Sequence, residues 1–203
     1  PEPPDNEEVA RYRDEIGLPE DALVIGSLGR MYDEVKRFSD ILRAFAMIDP
    51  GNYSRPVVLL LGGKGPDYDR LRQLARELGV EDRVFMPGYI SQPARLYALM
   101  DLFVLMSASE SFGLVVVEAM SASLPVITSD AGALPDIVDH GETGFVVPIG
   151  DTHALRDRMT QLLDAEPQRL AIGEAAREIA TTRYSSRRYV RDVEAFYRKT
   201  VEQ

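Results

Sequence analysis

Six short, mostly apolar runs recur along the first 150 residues: ALVIGSLG (22–29), PVVLLLGG (56–63), RVFMPGYI (83–90), DLFVLMS (101–107), LPVITSD (124–130) and TGFVVPIG (143–150). A strand with one wet face alternates apolar and polar residues. These runs do not, so both of their faces are covered. Segments of helical period separate most of them. FSDILRAFAMI (38–48) puts Phe38, Ile41, Leu42, Phe45 and Ile48 on one face, DYDRLRQLARELG (67–79) is amphipathic and stops at Gly79, and PARLYALM is a short helix. Covered strands alternating with helices require a parallel sheet between two helical layers, a Rossmann-like doubly wound α/β fold. After residue 150 the chain turns wholly helical, with Asp151 and either Ser185 or Ser186 as N-caps.

The 203 residues suffice for one ordinary domain with a sizeable core, at 45% apolar and 28% charged. Residues 1–15 read as an acidic linker remnant, 16–183 as the globular domain, and 184–203 as a C-terminal helix. That helix would pack back on the domain or toward a further one. No apolar run is long enough to span a membrane. The opening PEPPDNEEVARYRDE has neither the positive start nor the apolar stretch of a signal peptide, and the expected location is the cytoplasm, with a peripheral place at the membrane as the alternative for the full-length protein. With no cysteine, disulfides and thiol catalysis are excluded, and two distant histidines, His140 and His153, make no transition-metal site. His140 lies in a turn (DHGETG), and His153 in an exposed first helical turn. The net charge is −10, and residues 1–150 hold 13 Lys or Arg against 24 Asp or Glu. Nucleic acid is therefore not an expected partner. The arginines at 187, 188 and 191, near Tyr184 and Tyr189, read as a solvated helix face.

Ligands of open α/β sheets sit at the carboxyl ends of the strands, where loops run into helix N-termini. The most informative of these loops is SASESFGLVVVEAM, Ser107 to Met120. Glu118 falls among valines, alanine and methionine, and an unpaired buried carboxylate is costly. With a helix starting near Phe112 or Gly113, Glu110 precedes it and Glu118 lies two turns inside. Eight positions at ~1.5 Å each separate the two carboxylates by roughly 12 Å along the axis. Between them is a glycine-opened helix start with free N–H groups, suited to phosphate. A diphosphate there would leave one carboxylate near the hydroxyls at each of its ends, the arrangement a nucleotide diphosphate sugar requires. In the plainer reading, Glu110 is a helix-start acid and Glu118 an exposed helical residue. GGKG (62–65) lacks the spacing and ending of a P-loop and reads as a tight turn.

The stretch SESFGLVVVEAM…LPVITSDAGALPDIVDHGETGFVVPIGD closely resembles the C-terminal, nucleotide-sugar-binding half of the retaining glycosyltransferases of family 4. Those enzymes have the two-domain GT-B architecture. The likeness runs from about Ile16 to about Asp151. It implies that Glu110 holds donor-sugar hydroxyls and that Glu118 holds the ribose hydroxyls. It further implies that backbone N–H groups at Phe112, Gly113 and Leu114 meet the phosphates or the sugar. Arg30 and Lys36 would neutralise the departing diphosphate, with Tyr89 and Ile90 bordering the base and Gly63 beside it. The resemblance also implies no metal and no cofactor, the nucleotide diphosphate sugar being the substrate. It assigns the acceptor mostly to an N-terminal domain for which this chain has no room. The isolated chain is thus expected to bind donor and to transfer little.

Departures from the family pattern are visible. RMYDEVK is one residue longer between its basic positions than usual, so Arg37 is an alternative to Lys36. Ser123 stands where a glycine is usual before LPV, and AGALPD puts Asp136 at the usual acidic place. Two other classes remain on the same architecture: one half of a GT-B nucleotide-sugar epimerase, and a non-catalytic Rossmann-type ligand-binding module.

Overall fold

The computed structural model describes residues 4–185, together with 188, 190, 191, 193, 194, 197 and 198. Six strands form one parallel sheet: β1 (Leu23–Leu28), β2 (Val57–Gly62), β3 (Val84–Gly88), β4 (Leu102–Leu105), β5 (Val126–Ser129) and β6 (Gly144–Val147). Their spatial order is β3-β2-β1-β4-β5-β6, with β1 flanked by β2 and β4. The doubly wound fold expected from the apolar runs is the fold observed.

Strand periodicity explains the two cores. Leu23 and Ile25 of β1, Val57, Leu59 and Leu61 of β2, and Leu102 and Val104 of β4 face one layer. Val24, Leu28, Val58, Leu60, Phe103 and Leu105 face the other. The first layer holds α3 (Phe38–Ala46), α4 (Tyr68–Glu77) and α8 (Thr152–Asp164). The predicted stripe Phe38, Ile41, Leu42, Phe45 and Ile48 is buried there. The second layer holds α5 (Pro93–Tyr97), α6 (Leu114–Ser121), α7 (Leu134–Ile137) and α9 (Glu166–Arg183). Removing each such side chain from water stabilises the fold by roughly 1.5–3 kcal/mol.

The opening segment differs from the linker reading. Residues Asn6–Glu15 form α1, and the Asp5 carboxylate accepts the Glu8 N–H at 2.7 Å as N-cap. Val9 and Tyr12 pack on the second core, and Glu8 pairs with Arg95 of α5. The prolines that suggest a linker stand only at positions 1, 3 and 4, ahead of the cap. At the other end Asp151 caps α8 as predicted, accepting the Ala154 N–H at 2.9 Å. Ser185 Oγ accepts the Arg188 N–H at 3.3 Å, in keeping with its N-cap reading. Ser186, Arg187, Tyr189 and much of the predicted 184–203 helix lie outside the described residues. His153 is exposed, and His140 is structural: its Nδ1 accepts the Val146 N–H at 3.1 Å. Among the described residues no helix is long and apolar enough to cross a membrane.

Ser123 adopts φ 60°, in the left-handed region where glycine is favoured. A side chain there costs ~1–2 kcal/mol, part of which glycine would forfeit through its larger unfolded-state entropy. Ser123→Gly should therefore raise stability by about 0.5–1 kcal/mol, read as a higher urea midpoint at unchanged slope. An unchanged or lower midpoint would show that the conformation is not strained.

Candidate functional site

In the observed strand order the crossovers from β1 lead one way and those from β4 the other, so a crevice opens between the carboxyl ends of these two strands. Both loops that carry the predicted charged residues leave from this point. The β1 loop runs through Arg30 into a single turn, α2 (Asp33–Lys36). The β4 loop runs through Ser107 and Glu110 to α6.

Backbone hydrogen bonds fix these loops to each other. Ala108 N–H donates to Val35 O at 2.7 Å across the crevice, and Ala133 N–H donates to Glu110 O at 3.2 Å from the loop after β5. The buried Ser129 hydroxyl donates to Ser107 O at 2.6 Å. On the β2 side, Met31 N–H donates to Lys64 O and Asp67 N–H to Met31 O, both at 3.1 Å. Gly63 makes this interlock possible, because a Cβ there would lie 1.9 Å from Gly29 O. GGKG is not itself the tight turn expected: Gly62 ends β2, residues 63–65 run on as irregular loop, and the turn closes beyond them where Tyr68 N–H donates to Gly65 O at 3.2 Å.

Lys36 Nζ donates to Glu110 Oε2 at 2.6 Å, and the Ser107 hydroxyl approaches the same oxygen at 3.3 Å. Of the two adjacent basic residues it is Lys36 that meets Glu110. Arg37 is left-handed at φ 49°, and this reversal turns its side chain to Asp40, 2.5 Å away. The α2 turn is clasped from behind: Arg70 Nη2 donates to Asp33 at 2.5 Å, and Asp33 N–H donates to Asp67 at 2.8 Å. The donated N–H, ahead of Arg70, holds the Asp67 carboxyl below its usual pKa range. A recess of about 380 Å³ lies beside this clasp, but its charged walls (Asp33 with Arg70, Asp40 with Arg37) are paired with each other.

Gly113 is the left-handed N-cap of α6 at φ 84°, and no side chain caps the helix, so its first N–H groups stay open. A Cβ on Gly113 would come 2.8 Å from Leu134. Leu114 is exposed at the helix start, and the Phe112 ring meets Tyr184 edge-on at 6.0 Å. Arg30 is exposed and forms no ion pair among the described residues. Tyr89 is exposed at the end of β3, with Ile90 half-buried beneath it.

Glu118 is half-buried within the apolar α6, and its environment explains how a carboxylate is tolerated there. The Tyr97 hydroxyl donates to Glu118 Oε2 at 2.9 Å. Tyr97 is buried, with its ring edge-on to Phe103 at 5.8 Å. Burial, reinforced by the Glu118 charge, pushes its hydroxyl pKa far above the ordinary range, so it remains a donor. Sequence reasoning missed Tyr97 and the Asp33–Arg70–Asp67 clasp. The available signal for Tyr97 was that a buried tyrosine needs a partner for its hydroxyl. Among the described residues, no group of three or more His, Asp or Glu side chains is placed to hold a metal ion.

This geometry can be set beside known proteins. The family described as glycosyl transferases group 1 matches residues 8–179. The chain belongs to that family. Similar to this group 1 chain are the N-acetyl-alpha-D-glucosaminyl L-malate synthase of Bacillus anthracis, 35% identical over 190 residues (94% of the chain and 49% of the relative), and the D-inositol 3-phosphate glycosyltransferase of Corynebacterium glutamicum, 37% identical over 179 residues (85% and 42%). The chain thus spans about half the length of the curated relatives it matches. Among solved structures, Anabaena Alr3699/HepE in complex with UDP superposes with a TM-score of 0.87 at 25% identity, over 97% of the group 1 chain and 54% of its own. The C-terminal domain of the Francisella tularensis glycosyl transferase group 1 family protein LpcC shares the fold, with a TM-score of 0.78 over 91% of the group 1 chain and 96% of its own. The fold is that of one half of a GT-B glycosyltransferase.

The Lys36–Glu110 pair is only 22% and 15% exposed at its two side chains. A double-mutant cycle with Lys36→Met and Glu110→Gln should return a stabilising coupling of about 1 kcal/mol. A coupling indistinguishable from zero would contradict the contact.

Proposed function

We propose that this chain is the donor-binding half of a retaining, metal-independent glycosyltransferase that takes a sugar from a nucleotide diphosphate sugar and passes it to an acceptor hydroxyl. The observation that carries this reading is the meeting of Lys36 and Glu110 beside the uncapped start of α6, with Glu118 further down the same helix. A diphosphate at the open N–H groups lies between an acceptor for sugar hydroxyls, Glu110, and an acceptor for ribose hydroxyls, Glu118. Arg30 and Lys36 supply positive charge to the same loop cluster. Membership of the glycosyl transferases group 1 and the UDP complex of the Anabaena relative support the reading.

In the reaction, the bond between the sugar's anomeric carbon and the diphosphate oxygen breaks. The acceptor oxygen bonds to that carbon, and its proton passes to the diphosphate oxygen that leaves with the bonding electron pair. The leaving diphosphate gains charge as this happens, so Arg30 and Lys36 bind the transition state more strongly than the bound donor. Lys36 and Glu110 neutralise each other at 2.6 Å. Donor entry exchanges this pair for two others, ammonium with phosphate and carboxylate with sugar hydroxyls. Tyr89 and Ile90 border the base, Gly63 gives it room, and the acceptor comes with a second domain. The setting proposed is cytoplasmic, and no cofactor takes part.

The test is calorimetry on the chain with UDP, GDP and ADP in the presence of EDTA, for which at least one nucleotide should bind. Glu118→Ala should weaken that nucleotide by the ~1.5–3 kcal/mol of a hydrogen bond to a charged group. Glu110→Ala should spare the bare nucleotide and weaken only the sugar-bearing form. No binding of any nucleotide, or equal losses in both variants for both ligands, would refute the reading.

A further inference from the structure

One segment links the rim of the proposed base site to the interior of α6. It leaves β3 at Tyr89 and Ile90, turns into α5, and ends at Tyr97. Tyr97 is 3% exposed, its ring is braced edge-on by Phe103 of β4, and its hydroxyl lies 2.9 Å from Glu118 Oε2. The same hydroxyl stands 3.3 Å from Val115 O one turn earlier, so it is lodged against the helix that bears the carboxylate. Among the described residues Glu118 Oε1 has no hydrogen-bond partner. One oxygen is therefore held while the other is left open.

We infer that Tyr97 is a positioning residue that fixes the Glu118 carboxylate in the rotamer receiving the ribose diol, and thereby sets the preference for a ribonucleotide. The inference rests on the reading of Glu118 as the ribose acceptor. A glutamate side chain has three rotatable bonds, and freezing it costs binding energy unless the protein has frozen it beforehand. Tyr97 does this from behind, without occupying the oxygen that faces away from it. An oxygen of a carboxylate accepts more than one hydrogen bond, so Oε2 also remains able to take a ribose hydroxyl while Tyr97 donates to it. A tyrosine whose hydroxyl never titrates in the working pH range keeps this hold constant.

The experiment compares UDP, GDP and ADP with their 2′,3′-dideoxy analogues on the 203-residue chain, its Tyr97→Phe variant and its Glu118→Ala variant. Tyr97→Phe keeps the ring against Phe103 and removes only the hydroxyl. It should weaken the ribonucleotide by about three- to tenfold, the cost of ordering one freed side chain. The dideoxy analogue, which presents no diol to Glu118, should bind the variant as it binds the parent. Damage to the general structure would instead weaken both ligands alike, and that result overturns the inference. If Glu118→Ala abolishes the ribose preference while Tyr97→Phe leaves it intact, the role of Tyr97 fails and the ribose role of Glu118 stands. If Glu118→Ala leaves the preference intact, or no nucleotide binds, the ribose reading fails and the inference falls with it. Should Tyr97→Phe not fold, Tyr97→Met, an apolar side chain without a donor, is held to the same outcomes.

Discussion

The site depends on one constraint, the divergence of the chain at the carboxyl ends of β1 and β4. These strands are neighbours, yet each leads to crossovers on its own side of the sheet. Two loops must therefore part there, and the sheet cannot fill the gap with its own backbone. What closes it is sparse: the Ala108 to Val35 hydrogen bond at 2.7 Å and the Lys36–Glu110 ion pair at 2.6 Å. The first fixes the spacing of the loops. The second sets opposite charges from the two loops directly against each other.

Charge distribution follows the same economy. The chain carries −10 overall, but the crevice loop contributes Arg30 and Lys36, with Arg37 turned out of it by a left-handed φ of 49°. Local placement, not net charge, decides what a site attracts. Holding Arg37 away leaves one lysine opposite one glutamate, and the Asp33–Arg70–Asp67 clasp keeps the short α2 turn from shifting that lysine.

The fold was legible in the sequence because strands covered on both faces leave an unmistakable pattern, and all six runs became strands of one sheet. The placement of Glu110 ahead of a glycine-opened helix, and of Glu118 inside it, was legible too, and for Glu118 a carboxylate among valines demands a partner. Which of Lys36 and Arg37 meets Glu110 was not, because it turns on a backbone reversal at Arg37, φ 49°, that the sequence does not announce. Nor was Tyr97, which sits in PARLYALM with the spacing of any core aromatic and gains its meaning only when α5 is laid against α6. The helix at Asn6–Glu15 was masked by the prolines before it, although Asp5 and Glu8 bear the spacing of a capped helix start.

The central claim is that a nucleoside diphosphate occupies the crevice at the β1–β4 divergence, against the start of α6. The most direct measurement is the change in backbone amide NMR signals as UDP, GDP or ADP is added to the isotopically labelled chain. The account predicts shifts concentrated at Gly29 to Lys36, Tyr89 and Ile90, and Ser107 to Glu118, with Gly113 and Leu114 among the largest. Shifts centred on the recess at Asp40 and Arg43, on the outer face of α8, or at the amino ends of the strands would contradict it.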